Sequence, residues 1–230
     1  MHIPDGFINA GTSAGAALIA AGGVTVAVKK TSRYLDDKRV PIAGLTAAFV
    51  FAVQMLNFPV AAGTSGHLLG GALAAILVGP WAGALCVTVV LVVQAFFADG
   101  GITALGLNVL DMAFVTALGG YAIFLGLRKV FPNERSSVVV ASGIAAGISV
   151  VLSALVFVIQ FAIGGNVDLA LGSVLAAMVG VHTLIGLGEG IITAATVGLV
   201  LSVRPDLVYG ARDLGTPLHI PKTSTAEGVS

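Results

Sequence analysis

Seven apolar stretches, separated by short polar segments, make up most of the chain. A helix that crosses the hydrocarbon core of a membrane needs about 20 apolar residues. The pattern therefore predicts an all-α, polytopic membrane protein with seven transmembrane helices, at residues 11–28, 41–58, 68–79, 81–98, 106–127, 137–163 and 171–202. The third stretch is the weakest of these spans, because it is short and ends at Gly79-Pro80. Its crossing would need help from the preceding loop.

The composition supports residence in a lipid bilayer. Hydrophobic residues make up 57% of the 230-residue chain and charged residues only 10%. Soluble domains carry about 25% charged residues, so this chain is not an ordinary soluble protein. Its formal net charge is zero, and we expect no nucleic-acid partner. The one cysteine, Cys86, lies in an apolar stretch and is expected to be a small buried side chain.

The distribution of charge predicts the orientation of the spans. Lys and Arg near helix ends remain on the cytoplasmic side of a membrane. Here they form three clusters, which we place inside, at residues 29–40, 128–136 and 203–230. The N-terminus is then outside and the C-terminus inside. The predicted outer segments 1–10, 59–67, 99–105 and 164–170 contain Asp5, Asp99 and Asp168 but no Lys or Arg.

The two ends of the chain are expected to differ in structure. No basic residue precedes the first apolar stretch, so we expect the N-terminus to remain attached and not to be cleaved as a signal peptide. Residues 1–202 are predicted to form a single transmembrane domain that includes an N-terminal loop. Residues 203–230, with several Pro, Ser and Thr, are predicted to be a loose cytoplasmic tail.

Polar side chains within the apolar stretches cluster toward the predicted outer ends of the helices. Burying a polar side chain in a bilayer is costly, so the positions of these residues indicate where the bundle is polar. They are Gln54, Asn57, Gln94, Asn108, Asp111, Gln160, His182, Thr183 and Glu189. Their placement predicts a polar cavity that is open to the outside and closed toward the inside. His182 and Glu189 are seven residues apart and share one helix face, where they could bind a metal or form interhelical hydrogen bonds.

The chain start, Met1-His2-Ile3-Pro4-Asp5-Gly6-Phe7, is a candidate metal chelate. Histidine is too large for removal of the preceding methionine, so the amino group of Met1 should be free. One ion can be bound by that amino group, by the main-chain amide nitrogen of His2 and by Nδ1 of the His2 ring. Together these three nitrogens would form fused chelate rings with the ion. His67 lies on the same predicted side and could supply a fourth nitrogen, although loop backbone could equally satisfy it. Four nitrogens in a plane suit Ni²⁺, Cu²⁺ or Co²⁺ better than Zn²⁺.

Two motifs carry a resemblance to a known family. The chain start and the segment Gly63-Thr64-Ser65-Gly66-His67-Leu68-Leu69-Gly70-Gly71, with the later Asp111-Met112-Ala113, resemble the CbiM/NikM proteins. These are the substrate-binding membrane subunits of energy-coupling factor transporters for cobalt and nickel. The resemblance implies seven helices, one of them an extra N-terminal helix. It also implies that Met1, His2 and His67 bind the ion.

The same resemblance implies how the protein works and with which partners. We expect a subunit, without enzymatic activity, of an ATP-driven importer of Co²⁺ or Ni²⁺ in a prokaryotic inner membrane. Its partners would be a transmembrane coupling subunit, two ATPase subunits and a small accessory membrane subunit. The chain itself has no Gly-rich lysine motif for ATP. Small-residue pairs that could contact the coupling subunit are Ala43 with Ala47 and Gly186 with Gly190.

Other side chains are candidates for support around the ion, and one alternative function stays open. The candidate supporting residues are Asp5, Thr64, Ser65, Asn108, Asp111, His182 and Glu189. In the alternative, the protein is a self-sufficient secondary metal carrier that uses Asp111, His182 and Glu189 within the membrane. An intramembrane enzyme is not supported, because no zinc-protease motif or serine dyad is present. The sequence does not separate cobalt from nickel.

Overall fold

The computed structural model describes residues 1–35, 39–60, 64–97 and 99–214 of the chain. Seven helices account for most of them: α1 Ala10–Thr31, α2 Val40–Gln54, α3 Gly71–Val78, α4 Pro80–Phe96, α5 Leu105–Val130, α6 Arg135–Gly164 and α7 Leu171–Val203. Two short strands, β1 Phe58–Pro59 and β2 Ser65–Gly66, pair antiparallel in the connection between α2 and α3. Each predicted apolar stretch therefore contains a helix. Residues 61–63, which include Gly63 of the His67 motif, and residues 215–230, with His219, lie outside the described residues.

Local sequence signals explain where several helices begin and end. The Asn9 side chain caps α1 by accepting a hydrogen bond of 2.9 Å from the Thr12 amide, and Lys29 and Lys30 occupy the last turn. Gly79, with a φ of +98°, separates α3 from α4, and Pro80 begins α4. The break at Gly79-Pro80 is thus confirmed.

Four helices are long and apolar enough to cross a membrane: α1, α5, α6 and α7. Two more, α2 and α4, are apolar but have only 15 and 17 residues. The prediction that 68–79 forms a full spanning helix is not supported, because α3 has only eight residues. Such a helix is about 12 Å long, against a hydrocarbon core of about 30 Å. All eight of its residues are buried, so α3 lies inside the bundle.

The outer surface of the bundle is apolar. Large hydrophobic side chains on several helices are exposed, for example Leu18 at 77%, Phe96 at 80% and Ile191 at 71%. An aqueous protein rarely exposes so many of them together. With the four long apolar helices, this surface shows a multi-pass membrane protein.

Glycines bring α6 and α7 into close contact. A Cβ atom on Gly186 would lie 2.7 Å from the carbonyl oxygen of Gly147, and one on Gly190 would lie 2.8 Å from that of Gly143. Small residues at membrane-helix interfaces permit this approach of the two backbones. The pair Gly186 and Gly190, considered above for contact with a partner, therefore packs within the chain itself. Ala43 also has a contact within the chain, since its carbonyl oxygen accepts a 3.4 Å hydrogen bond from the thiol of buried Cys86.

Helix α5 contains a long π-helical segment, Val109–Gly119, between α-helical turns. π-Helical segments are uncommon and are frequently found at functional sites. Asp111 and Met112 lie in this segment, and both are fully buried. The irregular part of the helix is therefore the part that carries an acidic side chain into the interior.

The beginning of the predicted loose tail is packed on the bundle. Residues Pro205–Leu207 and Tyr209–Leu214 form two 3₁₀ turns. Val208 is fully buried, and the Tyr209 ring contacts the rings of Tyr34 and Tyr121. Apolar and aromatic side chains thus hold residues 205–214 against the helices, although the sequence suggested only a polar tail.

We expect Gly186→Val to destabilise the bundle, because the new side chain would meet the Gly147 carbonyl. Overpacking of this kind costs about 1–3 kcal/mol. Gly180→Val on the same helix is the matched control, since a Cβ there has no neighbour within 4 Å. Thermal unfolding in detergent should show a lower midpoint for Gly186→Val only. Equal midpoints for the two variants would contradict the close packing.

Candidate metal centre

The N-terminal segment is inserted into the bundle ahead of α1. Met1 and Ile3 are fully buried, and Phe7 is 3% exposed. Main-chain hydrogen bonds to the end of α6 and the turn after it hold this segment. The main-chain N–H of Asn9 donates to the Gly164 carbonyl at 2.7 Å, and that of Asn166 donates to the Phe7 carbonyl at 2.9 Å. Apolar burial and main-chain hydrogen bonds thus fix the chain start between helices.

Asn108 clamps the main chain next to the proposed chelate. Its Oδ1 accepts a 2.8 Å hydrogen bond from the Ile3 amide, and its Nδ2 donates to the Ile3 carbonyl at 3.2 Å. The amide of Gly101 also donates to that carbonyl at 2.9 Å. Gly100, at a φ of +101°, lies against His2, so close that a Cβ would be 3.0 Å from its ring. A side chain at either glycine would therefore displace the segment.

The two predicted histidines meet inside the protein. The ring centroids of His2 and His67 are 4.5 Å apart, and the rings are 4% and 1% exposed. His67 Nδ1 lies 2.8 Å from the Leu68 carbonyl, which can only accept, so Nδ1 carries the proton and donates. The lone pair is then on Nε2, a buried atom without a hydrogen-bond partner among the described residues. An unpaired imidazole lone pair in the interior is available to a metal.

Both ring nitrogens of His2 lie close to hydrogen-bond acceptors. His2 Nε2 is 3.1 Å from Gln94 Oε1, which is an acceptor, so Nε2 can donate a proton to that oxygen. His2 Nδ1 lies 3.4 Å from Ser65 Oγ and 3.2 Å from Asp99 Oδ1, so the Asp99 carboxylate competes with Gln94 for the ring proton. Gln94 thus holds the Nε2 side of the ring, and Nδ1 is the nitrogen that faces Ser65 and Asp99.

Burial favours the uncharged form of the candidate nitrogen donors. It lowers the pKa of the Met1 amino group well below its usual value, although Asp99 and Asp111 oppose this shift. Burial likewise lowers the pKa of His67 well below that of a free imidazole, and the nearby amino group adds to the effect. The pKa of His2 is also lowered, chiefly by burial. These shifts favour the forms with a free lone pair, which metal binding requires, since a protonated amine or imidazolium cannot bind a metal.

Glu189 and Gln54 hold the segment that follows His67. The Glu189 carboxylate accepts hydrogen bonds from two successive main-chain amides, those of Leu69 at 2.5 Å and Gly70 at 2.8 Å. Gln54 Nε2 donates to the Leu69 carbonyl at 2.7 Å. Glu189 thus makes interhelical hydrogen bonds, which is one of the two roles that the sequence left open for it.

The other candidate residues lie at different depths around the histidines. Asp5 accepts hydrogen bonds from the amide and hydroxyl of Thr103, which lower the pKa of its carboxyl group. His182 is fully buried, and its Nδ1 donates to the Met178 carbonyl at 2.7 Å. Thr64 lies with its hydroxyl 4.0 Å from the Met178 sulfur.

An open cavity of about 340 Å³ lies beside His2. Its lining includes Asp5, Asp99, Ser65 and the Gly100–Gly101 turn. The predicted polar cavity is thus largely filled by the N-terminal segment, and the open part leads to one face of His2. Asp111, His182 and Glu189 are buried behind it and do not line it.

Comparison with known proteins gives the family. Residues 2–207 match the family model CbiM, described as a cobalt uptake substrate-specific transmembrane region. The chain belongs to the CbiM family. Among CbiM relatives, the cobalt transport protein CbiM of Geobacter sulfurreducens is 33% identical over 98% of this chain and 67% of its own. The fused nickel transport protein NikMN of Rhodobacter capsulatus is 34% identical over 94% of this chain and 66% of its own.

A solved structure agrees with the CbiM assignment. The crystal structure of a truncated transition metal transporter is 32% identical in sequence and superposes with a TM-score of 0.81. The match covers 88% of this chain and 99% of that one. The resemblance inferred from the two histidine motifs is thus confirmed.

Several residues that shape this CbiM site were not among the predicted site residues. Gln94 was recognised as a polar residue at membrane depth, but its contact with His2 was not foreseen. The Gly100–Gly101 turn was also missed. A Gly-Gly pair in the loop before a helix is a signal for close backbone approach, and it could have been used.

Gly101→Ala should abolish metal binding while leaving the bundle folded. The new methyl group would collide with the Asp5 amide and would lie 2.8 Å from the Pro4 carbonyl carbon, so the chain start would be displaced. Gly172→Ala is the matched control, because a Cβ there meets nothing within 4 Å. Ni²⁺ titration of the purified variants measures this. Full affinity in Gly101→Ala would show that the inserted segment does not form the site.

Proposed function

We propose that this protein captures Co²⁺ or Ni²⁺ as a transport substrate, through four nitrogen atoms. They are the Met1 amino nitrogen, the His2 amide nitrogen, His2 Nδ1 and His67 Nε2. The observation that carries this proposal is the burial of the His2 and His67 rings, 4.5 Å apart, beside the buried amino terminus. The Leu68 carbonyl leaves the lone pair of His67 on Nε2, which has no hydrogen-bond partner among the described residues.

The source of the donors supports a main-chain chelate. Within residues 1–35, 39–60, 64–97 and 99–214, no three His, Cys, Asp or Glu side chains come together as a metal site. Side chains of these types therefore do not complete a four-coordinate site, and the buried amino terminus is the source of the missing donors. A deprotonated amide in fused rings favours a planar arrangement, which suits Ni²⁺ and accommodates Co²⁺.

We further propose that the centre lies near the outer face of the membrane, in a fold with seven crossings. Asp5 and Asp99 line the cavity beside His2, whereas Lys29 and Lys30 lie at the far end of α1. That helix is about 33 Å long, so its two ends would reach opposite surfaces. The basic end would be cytoplasmic, in a prokaryotic inner membrane.

Transport is proposed to depend on partner subunits. The chain has no ATP-binding lysine motif, so energy would come from two ATPase subunits through a transmembrane coupling subunit, with a small accessory membrane subunit. The alternative of a lone carrier with an intramembrane relay is less well supported. Both carboxylate oxygens of Glu189 already bind main-chain amides, so Glu189 is committed to holding the His67 segment.

An alanine inserted before Met1 should abolish binding of Ni²⁺ and Co²⁺. The insertion moves the free amino group by one residue, about 3.8 Å, and replaces it with a peptide nitrogen. His67→Ala should also lose binding, whereas His219→Ala should retain it. Calorimetry and the absorption spectrum of the bound ion provide the measurements. Unchanged binding after the insertion would rule out the terminal chelate.

Metal uptake should require the partner subunits. Cells that make this protein together with the coupling, ATPase and accessory subunits should accumulate labelled Ni²⁺ or Co²⁺. Cells that make the protein alone, or with an ATPase inactivated at its nucleotide-binding lysine, should not. Equal uptake by the protein alone would favour the secondary carrier.

A further inference from the structure

Asp111 is an acidic residue in the interior whose contacts are incomplete. It lies in the π-helical segment of α5 and has no exposed surface. Its Oδ1 accepts a 2.7 Å hydrogen bond from Gln160 Nε2 on α6. Its Oδ2 is buried and has no hydrogen-bond partner among the described residues. Because the Gln160 amide is neutral, this contact does not balance a negative charge.

Such a carboxyl group is costly without a positive partner. Acidic residues inside membrane proteins usually face the interior and pair with a positive group or serve a function. The described Lys and Arg side chains belong to the basic clusters near residues 29–39, 128–135 and 204–212, remote from the buried chain start. The positive partner of Asp111 is therefore not a Lys or Arg among the described residues.

Asp111 lies next to the chain start. Ser153 bridges the two: its hydroxyl donates to the Asp111 main-chain carbonyl at 2.7 Å, and Ser153 Oγ lies 3.9 Å from the Met1 sulfur. The Met1 amino group and the Asp111 carboxyl group lie within electrostatic range of each other. A cation held by the amino terminus would thus lie within the same range of Asp111.

The proposed donor set leaves a charge to be balanced. Of its four nitrogens only the His2 amide is an anion, so a doubly charged ion keeps one net positive charge. In a dry interior such a charge is poorly stabilised. Asp99 is also near His2, but it lines the open cavity, where water screens it, and its Oδ2 accepts a hydrogen bond from Asn57. Glu189 is buried too, but both of its oxygens accept hydrogen bonds from main-chain amides, whereas Asp111 Oδ2 has no partner among the described residues.

We propose that the Asp111 carboxylate is the counter-charge of the bound ion and that it makes the site electrically neutral only when a doubly charged ion is present. The carboxylate acts without being a ligand. This inference rests on the proposed function and extends it from the donor atoms to the charge of the ion that the site prefers.

The test is Asp111→Asn in the purified full chain, titrated with Ni²⁺ and Co²⁺. Asparagine keeps the shape and an oxygen that can accept from Gln160, but it removes the charge. We expect a 10–100-fold loss of affinity, the range for groups one contact away from a metal. The absorption spectrum of the bound ion should not change, since the four donors remain. Asp168→Asn, at an exposed loop position, removes the same charge and should bind normally.

A second variant covers the case in which Asp111→Asn fails to fold. Gln160→Met keeps the carboxyl group of Asp111 but removes the hydrogen bond to its Oδ1, and we expect a smaller loss of affinity with the same spectrum. Affinity within twofold of the original chain in the folded variants would overturn the counter-charge, and so would a changed spectrum. If the original chain itself bound neither ion, the proposed function would fail instead.

Discussion

Burial of the chain start inside the helix bundle is the constraint on which the rest of the structure depends. A terminal amino group and exposed main-chain amides are costly in an apolar interior unless other groups satisfy them. Asn108 and Gly101 satisfy the main chain at Ile3, and the turn at residues 164–166 satisfies it near Phe7. The result is an amino nitrogen kept away from water beside two imidazole rings.

The second half of the site is supported from the opposite side of the bundle. Glu189 on α7 and Gln54 on α2 both bind the main chain directly after His67, so two helices fix that segment. The ring of His67 is then oriented by the Leu68 carbonyl. Neither imidazole depends on an exposed loop for its position, which is what a preorganised set of ligands requires.

Much of this arrangement could be predicted from the sequence. Apolar stretches marked all seven helices, Gly79-Pro80 marked the break before α4, and the pattern Met1-His2 with His67 marked the family. Contacts between distant residues could not be predicted. Nothing in a linear pattern shows that Gln94 faces His2, that Glu189 faces the Gly70 amide, or that Gly186 lies against Gly147. These contacts depend on how each helix is rotated about its axis and how closely it approaches its neighbours. A small residue, or a single Gln within an apolar stretch, gives only a general signal for them.

Helix α3 carries a consequence for how the protein adapts to its surroundings. Since all eight of its residues are enclosed by other helices, α3 meets no lipid, and its length is not matched to bilayer thickness. Helices at the periphery, such as α1, would tilt in a thicker or thinner bilayer, whereas the short inner helix would experience little of that strain. The segment that bears His67 leads directly into this sheltered helix, so the geometry of the proposed ion site should vary little between membranes of different lipid composition.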